Sequence, residues 1–514
     1  MTFAAFAQRR EWGSRLFLLA ALLSGAALGI LIANIGSSFL LLIIIAGLGA
    51  LAISLYRLEW GLLVFIFITY TRFSDVAIEY HGAPSISKLF VLLLLFGVLV
   101  RWVARGERPV GWEKPTLLLL AFGLLGLAST LYAADSLRAW QGTMDFFKDA
   151  LIALTIIVLL QRGPALRGVL WSLLAAGAFL GTLSVYQYLT GAFENNFWGF
   201  AQAPVQHIYE ELNSNRVAGP IGDANFYAQM MLVLAPLAVD RALGERNWLL
   251  RLAAAWVLGV SILTVVFTFS RGAFLALLVM GLAIAITRRI RPITWLGIAC
   301  LALAFIPFLP EAYVARISTL SDLLPGSNQS PLAEPSFRGR ASELLVGWMM
   351  FRDHPVGGVG LKNYPVYYLE YSRRLGLDPR LEQRDAHNLY LEVAAETGLV
   401  GLAAFGLVVW SAWRSLWSSG KRLRSAGKTE LAGMVISLGI GFGGYLAAGI
   451  FIHNAFPRFF WLLVGLALAL PQIAQNGSPE RTAAAQPESV LSVATEAAAA
   501  AEAEVTEANE GSGG

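Results

Sequence analysis

Residues 384–401 read RDAHNLYLEVAAETGLVG. His387 stands at the mouth of an apolar helical stretch, and Asn388, Glu392 and Glu396 follow at four-residue spacing, one polar stripe on a helix. A histidine near its ordinary pKa takes a proton from a hydroxyl at neutral pH. A carboxylate at its other ring nitrogen, here Glu392 or Glu396, would hold it in orientation. Two arginines extend the chemistry. Arg216 lies in NSNRVAGPIGDANFYAQ, just ahead of a turn shaped by Gly219, Pro220 and Gly222, after which Asp223 caps a helix. Arg271 lies in TFSRGAF, in a joint between two apolar stretches that is too short to let it swing away. Guanidinium forks bind phosphate oxygens in bidentate fashion, so two of them beside a histidine suit a diphosphate and a nucleophilic hydroxyl. Plainer readings exist. His387 could face water beside a helix start capped by Asp385, and Arg216 could snorkel to headgroups. Arg271 fits the plainer reading less well, because a guanidinium held at the membrane plane demands an anionic partner.

The elements that must position these residues are membrane helices. The chain of 514 residues is 57% hydrophobic and 14% charged, against about 25% charged for a soluble domain, and its mean hydropathy is +0.62. Runs such as 39–55 and 117–128 carry no charge, and about 20 apolar residues cross a bilayer. This predicts an all-α, polytopic integral membrane protein with about 12–14 transmembrane helices. Fourteen helices are expected, at 16–34, 38–56, 60–71, 86–105, 115–133, 146–161, 165–190, 223–242, 247–269, 271–288, 292–310, 388–413, 430–452 and 457–475. The first is followed at once by another span, which does not fit a cleavable signal peptide. The single cysteine, Cys300, excludes a disulfide within the chain. Histidine and cysteine are too sparse for a zinc-finger site, no Asp-x-Asp occurs, and no cofactor, metal or nucleic-acid partner is expected.

Lys and Arg set the sidedness. With the N-terminus inside, the cytoplasmic segments hold 21 of them and the outward ones, leaving out the largest loop, hold 7. Both termini are therefore expected in the cytoplasm, with the loops at about 191–222 and 311–386 facing outward. Within the larger loop, SELLVGWMMFRD (342–353) has helical apolar spacing and reads as an amphipathic helix on the membrane surface. The tail from 476 to 514 has seven Glu and one Arg, lacks aromatics and reads as a disordered acidic segment. The chain thus divides into an N-terminal bundle (1–204), a catalytic membrane region (205–475) and the tail.

HNLYLEVAAETGLVG, preceded by HPVGGVGLKNY (354–364), resembles the signature of the O-antigen ligase and O-antigen polymerase superfamily, which includes protein O-oligosaccharyltransferases. TFSRGAF, the R-x-x-G turn at Arg216 and a large outward loop followed by three spans extend the resemblance over roughly 205–470. It implies a GT-C-like glycosyltransferase architecture. It also implies a metal-independent, inverting transfer of a glycan from undecaprenyl diphosphate to a glycan, lipid A core or protein acceptor, at the outer face of the inner membrane. In it His387 matches the histidine that activates the acceptor, and Arg216 and Arg271 match the arginines that engage the diphosphate. The chain departs by having eleven expected helices before the large loop, where the ligases typically show nine, and by its acidic tail. The competing reading is a multi-span solute or anion transporter. That would call for inverted repeats or broken helices near the midplane, whereas the polar residues here gather at one membrane face.

Overall fold

A computed structural model describes residues 57–209, 212–288, 335–376, 382–452 and 457–475, with isolated positions at 49, 293, 313, 314 and 317. The helices expected at 16–34, 38–56 and 292–310, Cys300 and the acidic tail lie outside the described residues, apart from positions 49 and 293.

Fifteen α-helices are described: α1 (Leu58–Tyr70), α2 (Phe73–His81), α3 (Ile86–Arg105), α4 (Glu113–Ser129), α5 (Ser136–Leu159), α6 (Gly163–Thr190), α7 (Ala224–Leu232), α8 (Leu234–Gly244), α9 (Trp248–Phe267), α10 (Arg271–Arg288), α11 (Pro335–Asp353), α12 (Tyr364–Leu375), α13 (Leu389–Ser425), α14 (Thr429–Ala448) and α15 (Arg458–Gln475). The protein is an all-α polytopic membrane protein. Among the described residues eight helical stretches are long and apolar enough to span, and the α1–α2 pair, bent by 54°, makes a ninth candidate. Spans α6 and α15 are mostly buried and form the centre, while α3 turns Leu89, Leu92, Phe96, Leu99 and Val103 outward. Such a stripe on a soluble surface would be costly; against lipid chains it is neutral.

The elements depart from the sequence expectation in several places, α13 running on to Ser425 past the expected end at 413 among them. Helix α5 begins ten residues earlier than expected, at Ser136, because Asp135 caps it by accepting the Arg138 N–H at 2.9 Å. Hydropathy misses the stretch from 136 to 145, which carries Arg138 and Asp145. The loop before α7, expected to face outward, also contains a hairpin, β1 (Val205–Tyr209) and β2 (Leu212–Asn215), which pair antiparallel.

Polar residues collect at the two ends of the bundle. At the end away from His387, Arg241 meets Asp240 at 2.6 Å, Glu245 at 3.2 Å and Glu430 at 3.1 Å. Arg167 joins through Glu245 and Arg288 through Asp240. This network ties α6, α8, α10 and α14 together, and buried ions of this kind persist because each charge is paired.

At the other end the motif HPVGGVG finds its structural reason. Helix α13 is broken at Gly398, whose φ of 61° and ψ of −165° only glycine adopts readily. The break would orphan backbone groups deep in the protein, which only protein partners can satisfy. Residues 355–360 supply them: the Val359 and Gly360 N–H groups donate to the Ala395 and Glu396 carbonyls, both at 2.9 Å. In return the Leu399 and Val400 N–H groups donate to the Pro355 and Val356 carbonyls at 2.8 and 3.3 Å. The two ladder bonds that would join these same groups, Leu399 to Ala395 and Val400 to Glu396, are thus exchanged for four bonds to the loop. A Cβ at Gly398 would sit 2.2 Å from the Val356 oxygen, and one at Gly358 would sit 2.3 Å from the Glu396 carbonyl carbon, so no larger residue permits the exchange. The clamp fixes the loop after α11 against the first turns of α13, where His387 is.

Candidate active site

The short joint between α9 and α10 is the anchor of the site. Its Thr268 carbonyl accepts the Arg216 Nε–H at 2.7 Å, and the Val217 N–H donates to the Phe267 carbonyl at 3.1 Å. The arginine loop is therefore stitched to the end of α9. Arg216 also donates from Nη1 to Gln206 Oε1 at 2.6 Å and from Nη2 to Asn225 Oδ1 at 2.8 Å. These three acceptors are neutral oxygens, so they orient the guanidinium without cancelling its charge. Arg216 is 4% exposed. Burial lowers its pKa most, the Asp223 carboxylate opposes this, and repulsion from Arg340 and Arg271 adds to the lowering, which leaves it at about 10. It stays charged at neutral pH, beside two like charges.

Arg271 is the first residue of α10 and is also 4% exposed. Phe269, two residues before it, is held in the left-handed region at φ 52°. Non-glycine residues there store about 1–3 kcal/mol of strain, consistent with a joint whose position is fixed by its surroundings. The side chains of Asn225, Ser270, Ala273 and Arg340 line a cleft with Gly272, Ala448, Phe451 and Ile452. The cleft thus opens beside the start of α10, the Arg216 partner Asn225 and the end of α14. A helix N-terminus adds positive potential for an anion.

His387 is reached from the same end of α14. Asn388 caps α13: its Oδ1 accepts the Tyr390 and Leu391 N–H groups at 3.0 and 2.9 Å, while its Nδ2 donates to the Ile450 carbonyl at 3.0 Å. The Leu389 N–H donates to the Gly449 carbonyl at 2.7 Å. Asn388, and not Asp385, therefore supplies the cap. His387 itself sits in the left-handed region at φ 43°, a conformation held by the bonds on either side of it.

The carboxylate beside His387 is neither of the two expected. Glu343 Oε2, from α11, lies 3.0 Å from His387 Nδ1. Glu392 instead faces Lys362 Nζ at 3.4 Å, and Glu396 accepts the Tyr364 backbone N–H at 3.3 Å. Both are buried on the stripe that the spacing predicted, but that stripe faces the loop clamp. A helical period tells which residues share a face and not which partner the face meets. Helix α11, expected as an amphipathic helix on the membrane surface, also meets protein. Val346 and Met350 are buried with Tyr364, Tyr368 and Ala395, so its apolar face packs on protein, while Leu344, Leu345 and Trp348 remain exposed. It is an integral wall of the site.

Arg340 and Glu343 were missed because a charge on an amphipathic helix ordinarily faces water. Their three-residue spacing, one face of a helix, was the available signal. The charge of Arg340 acts on both Arg216 and His387, which brings the arginines and the histidine into one electrostatic neighbourhood.

The comparison with family models now bears on this geometry. Residues 256–406 match the O-antigen ligase family. The O-antigen ligase match takes in α9 from residue 256, the Arg271 joint, α11, the clamp and the first half of α13. Arg271, Arg340, Glu343 and His387 fall inside it and Arg216 falls outside, joined to it by the Thr268 bond. No curated protein matches the chain. The match agrees with the resemblance carried by TFSRGAF and HNLYLEVAAETGLVG, and it supports a ligase- or polymerase-like glycosyltransferase as the class of protein.

Proposed function

We propose that the protein transfers a glycan from an undecaprenyl-diphosphate carrier to an acceptor hydroxyl at the outer face of the cytoplasmic membrane. The observation that carries this reading is the convergence of Arg216, Arg271 and Arg340 beside His387, at a cleft next to a helix start. Arg216 is buried and held by neutral oxygens, and Arg271 is buried beside it; a multiply charged anion stabilises such a cluster, and a diphosphate provides one with oxygens suited to guanidinium forks.

In the step that follows, the acceptor oxygen attacks the anomeric carbon while His387 takes the hydroxyl proton. The bond from that carbon to the diphosphate oxygen breaks, and its electron pair leaves with the polyprenyl diphosphate. Arg216 and Arg271 bear the charge that grows on this leaving group, a stabilisation that costs little reorganisation because Arg216 is held by three hydrogen bonds and Arg271 is buried at the start of α10. Arg340 adds a third positive charge. Attack opposite the leaving group inverts the anomeric centre. The acceptor is a glycan, a lipid A core or a protein side chain, and membrane lipids surround the spans.

The reading requires that the site face outward and the α13–α14 turn face the cytoplasm, as the distribution of Lys and Arg supports. In a Cys300→Ala background, a cysteine at exposed Glu382 is expected to react with a membrane-impermeant maleimide added to intact cells. One at exposed Ser425 is expected to react only after permeabilisation. The reverse pattern would put the cleft on the side where no lipid-linked glycan waits, and would remove the proposal.

A further inference from the structure

We propose that Glu343 is the positioning residue of the transfer, holding His387 as the tautomer whose free lone pair is on Nε2. This rests on the reading of His387 as the base. Two oxygens approach His387 Nδ1: the Glu343 carboxylate at 3.0 Å and the Asp385 backbone carbonyl at 3.2 Å. Neither a carboxylate nor a carbonyl has a proton to give, so Nδ1 must carry the hydrogen. In the neutral ring Nε2 is then the acceptor, and it is the atom left to take a proton from a hydroxyl.

Glu343 is itself fixed. Its side chain is 1% exposed, and its other oxygen, Oε1, accepts from Arg384 Nη1 at 2.9 Å. Its backbone carbonyl accepts the Tyr364 hydroxyl of α12. A carboxylate held at Oε1 and facing the ring at ion-pair distance through Oε2 orients that ring, as the acid of a catalytic triad does. Because Glu343 rides on α11, the charged partner at His387 Nδ1 comes from the large loop, beside the neutral Asp385 carbonyl of its own segment.

The charged groups acting on the imidazole are Glu343 and Arg340 from α11; from its own loop Asp385 offers a backbone carbonyl, and Arg384 pairs with Glu343. Burial pulls the His387 pKa down, the Glu343 bond and charge pull it up, Arg340 opposes, and the net direction is upward from the ordinary histidine value. The base must be neutral to act, so transfer falls as the pH drops through that raised pKa.

The test uses the full-length protein in detergent with a polyprenyl-diphosphate glycan and an acceptor. In wild type the acidic limb of kcat/KM should lie above pH 6.5. In Glu343→Gln the limb should move to lower pH and the rate should fall at least tenfold, with Glu343→Asp recovering part of it. A Glu343→Gln protein with wild-type rate and an unmoved limb would overturn the inference while leaving His387 as the base. A dead wild type would instead overturn the functional reading. If Glu343→Gln fails to fold, 15N spectra of the wild-type imidazoles decide the matter, with the His387 signal assigned by its loss in His387→Asn. The inference requires Nδ1 protonated at high pH and a midpoint above the ordinary value; an Nε2–H tautomer would overturn it.

Discussion

Replacing His387 by alanine is expected to lower glycan transfer by about 100- to 10,000-fold, the range a general base contributes, while the protein remains in the membrane and binds donor. The structure gives a reason to expect retained folding. The start of α13 is held by Asn388, whose side chain caps the helix and reaches the Ile450 carbonyl, and by the Leu389 bond to Gly449. None of these bonds involves the imidazole. The left-handed backbone at residue 387 disfavours any non-glycine side chain, and alanine bears the same strain as histidine there. The measurement is single-turnover transfer by purified His387→Ala, with donor binding followed separately. A rate near that of wild type would return His387 to the plain role of a loop residue facing the headgroups.

The second large effect concerns the arginines. Arg271→Lys is expected to lose on the order of 100-fold or more in turnover, comparable to removing one donor from an oxyanion site, although the charge is kept. Arg271 begins α10 directly after the joint that holds Arg216, so a lysine there keeps the position and loses only the planar fork. Arg216→Lys should also be impaired. Its guanidinium uses three N–H groups on Thr268, Gln206 and Asn225 to fix its plane, and an ammonium cannot meet all three in that geometry. An arginine that merely snorkelled to headgroups would be replaced by lysine without loss. Steady-state kinetics on both variants separate these cases, and full activity in Arg271→Lys would end the account of a diphosphate held by guanidinium forks.

Much of this was legible in the sequence because membrane helices obey two simple constraints. Their backbones must be internally satisfied, and their lipid-facing sides must be apolar. Helices α3 and α10 therefore cover the expected ranges, Ile86–Arg105 and Arg271–Arg288, each built around a charge-free run. The cap at Asp223 was readable from its type and place. Helix α5 starts before the point hydropathy predicts because its first turns carry Arg138 and Asp145, which look like loop to a hydropathy pattern. The site was legible to the extent that its residues stood in odd places for an apolar chain, as His387 and Arg271 do. Glu343 stood in an ordinary place. Its partner lies 44 residues further on in sequence, and only the loop clamp at Gly358 and Gly398 brings α11 and the start of α13 together. Long-range contacts of that kind are set by the tertiary fit of two glycine-bearing backbones, which no local period encodes.

The central claim is that this chain breaks the bond between a glycan and a polyprenyl diphosphate and passes the glycan to a hydroxyl, using arginines where other enzymes use a metal. The most direct measurement follows a purified, full-length protein given a defined glycan on undecaprenyl diphosphate and an acceptor glycan, with and without EDTA. Both glycosylated acceptor and released undecaprenyl diphosphate are quantified. The account predicts equal amounts of the two products, the inverted anomer in the acceptor, and an undiminished rate in EDTA. No release of undecaprenyl diphosphate, or a rate abolished by EDTA and restored by divalent cation, would contradict it.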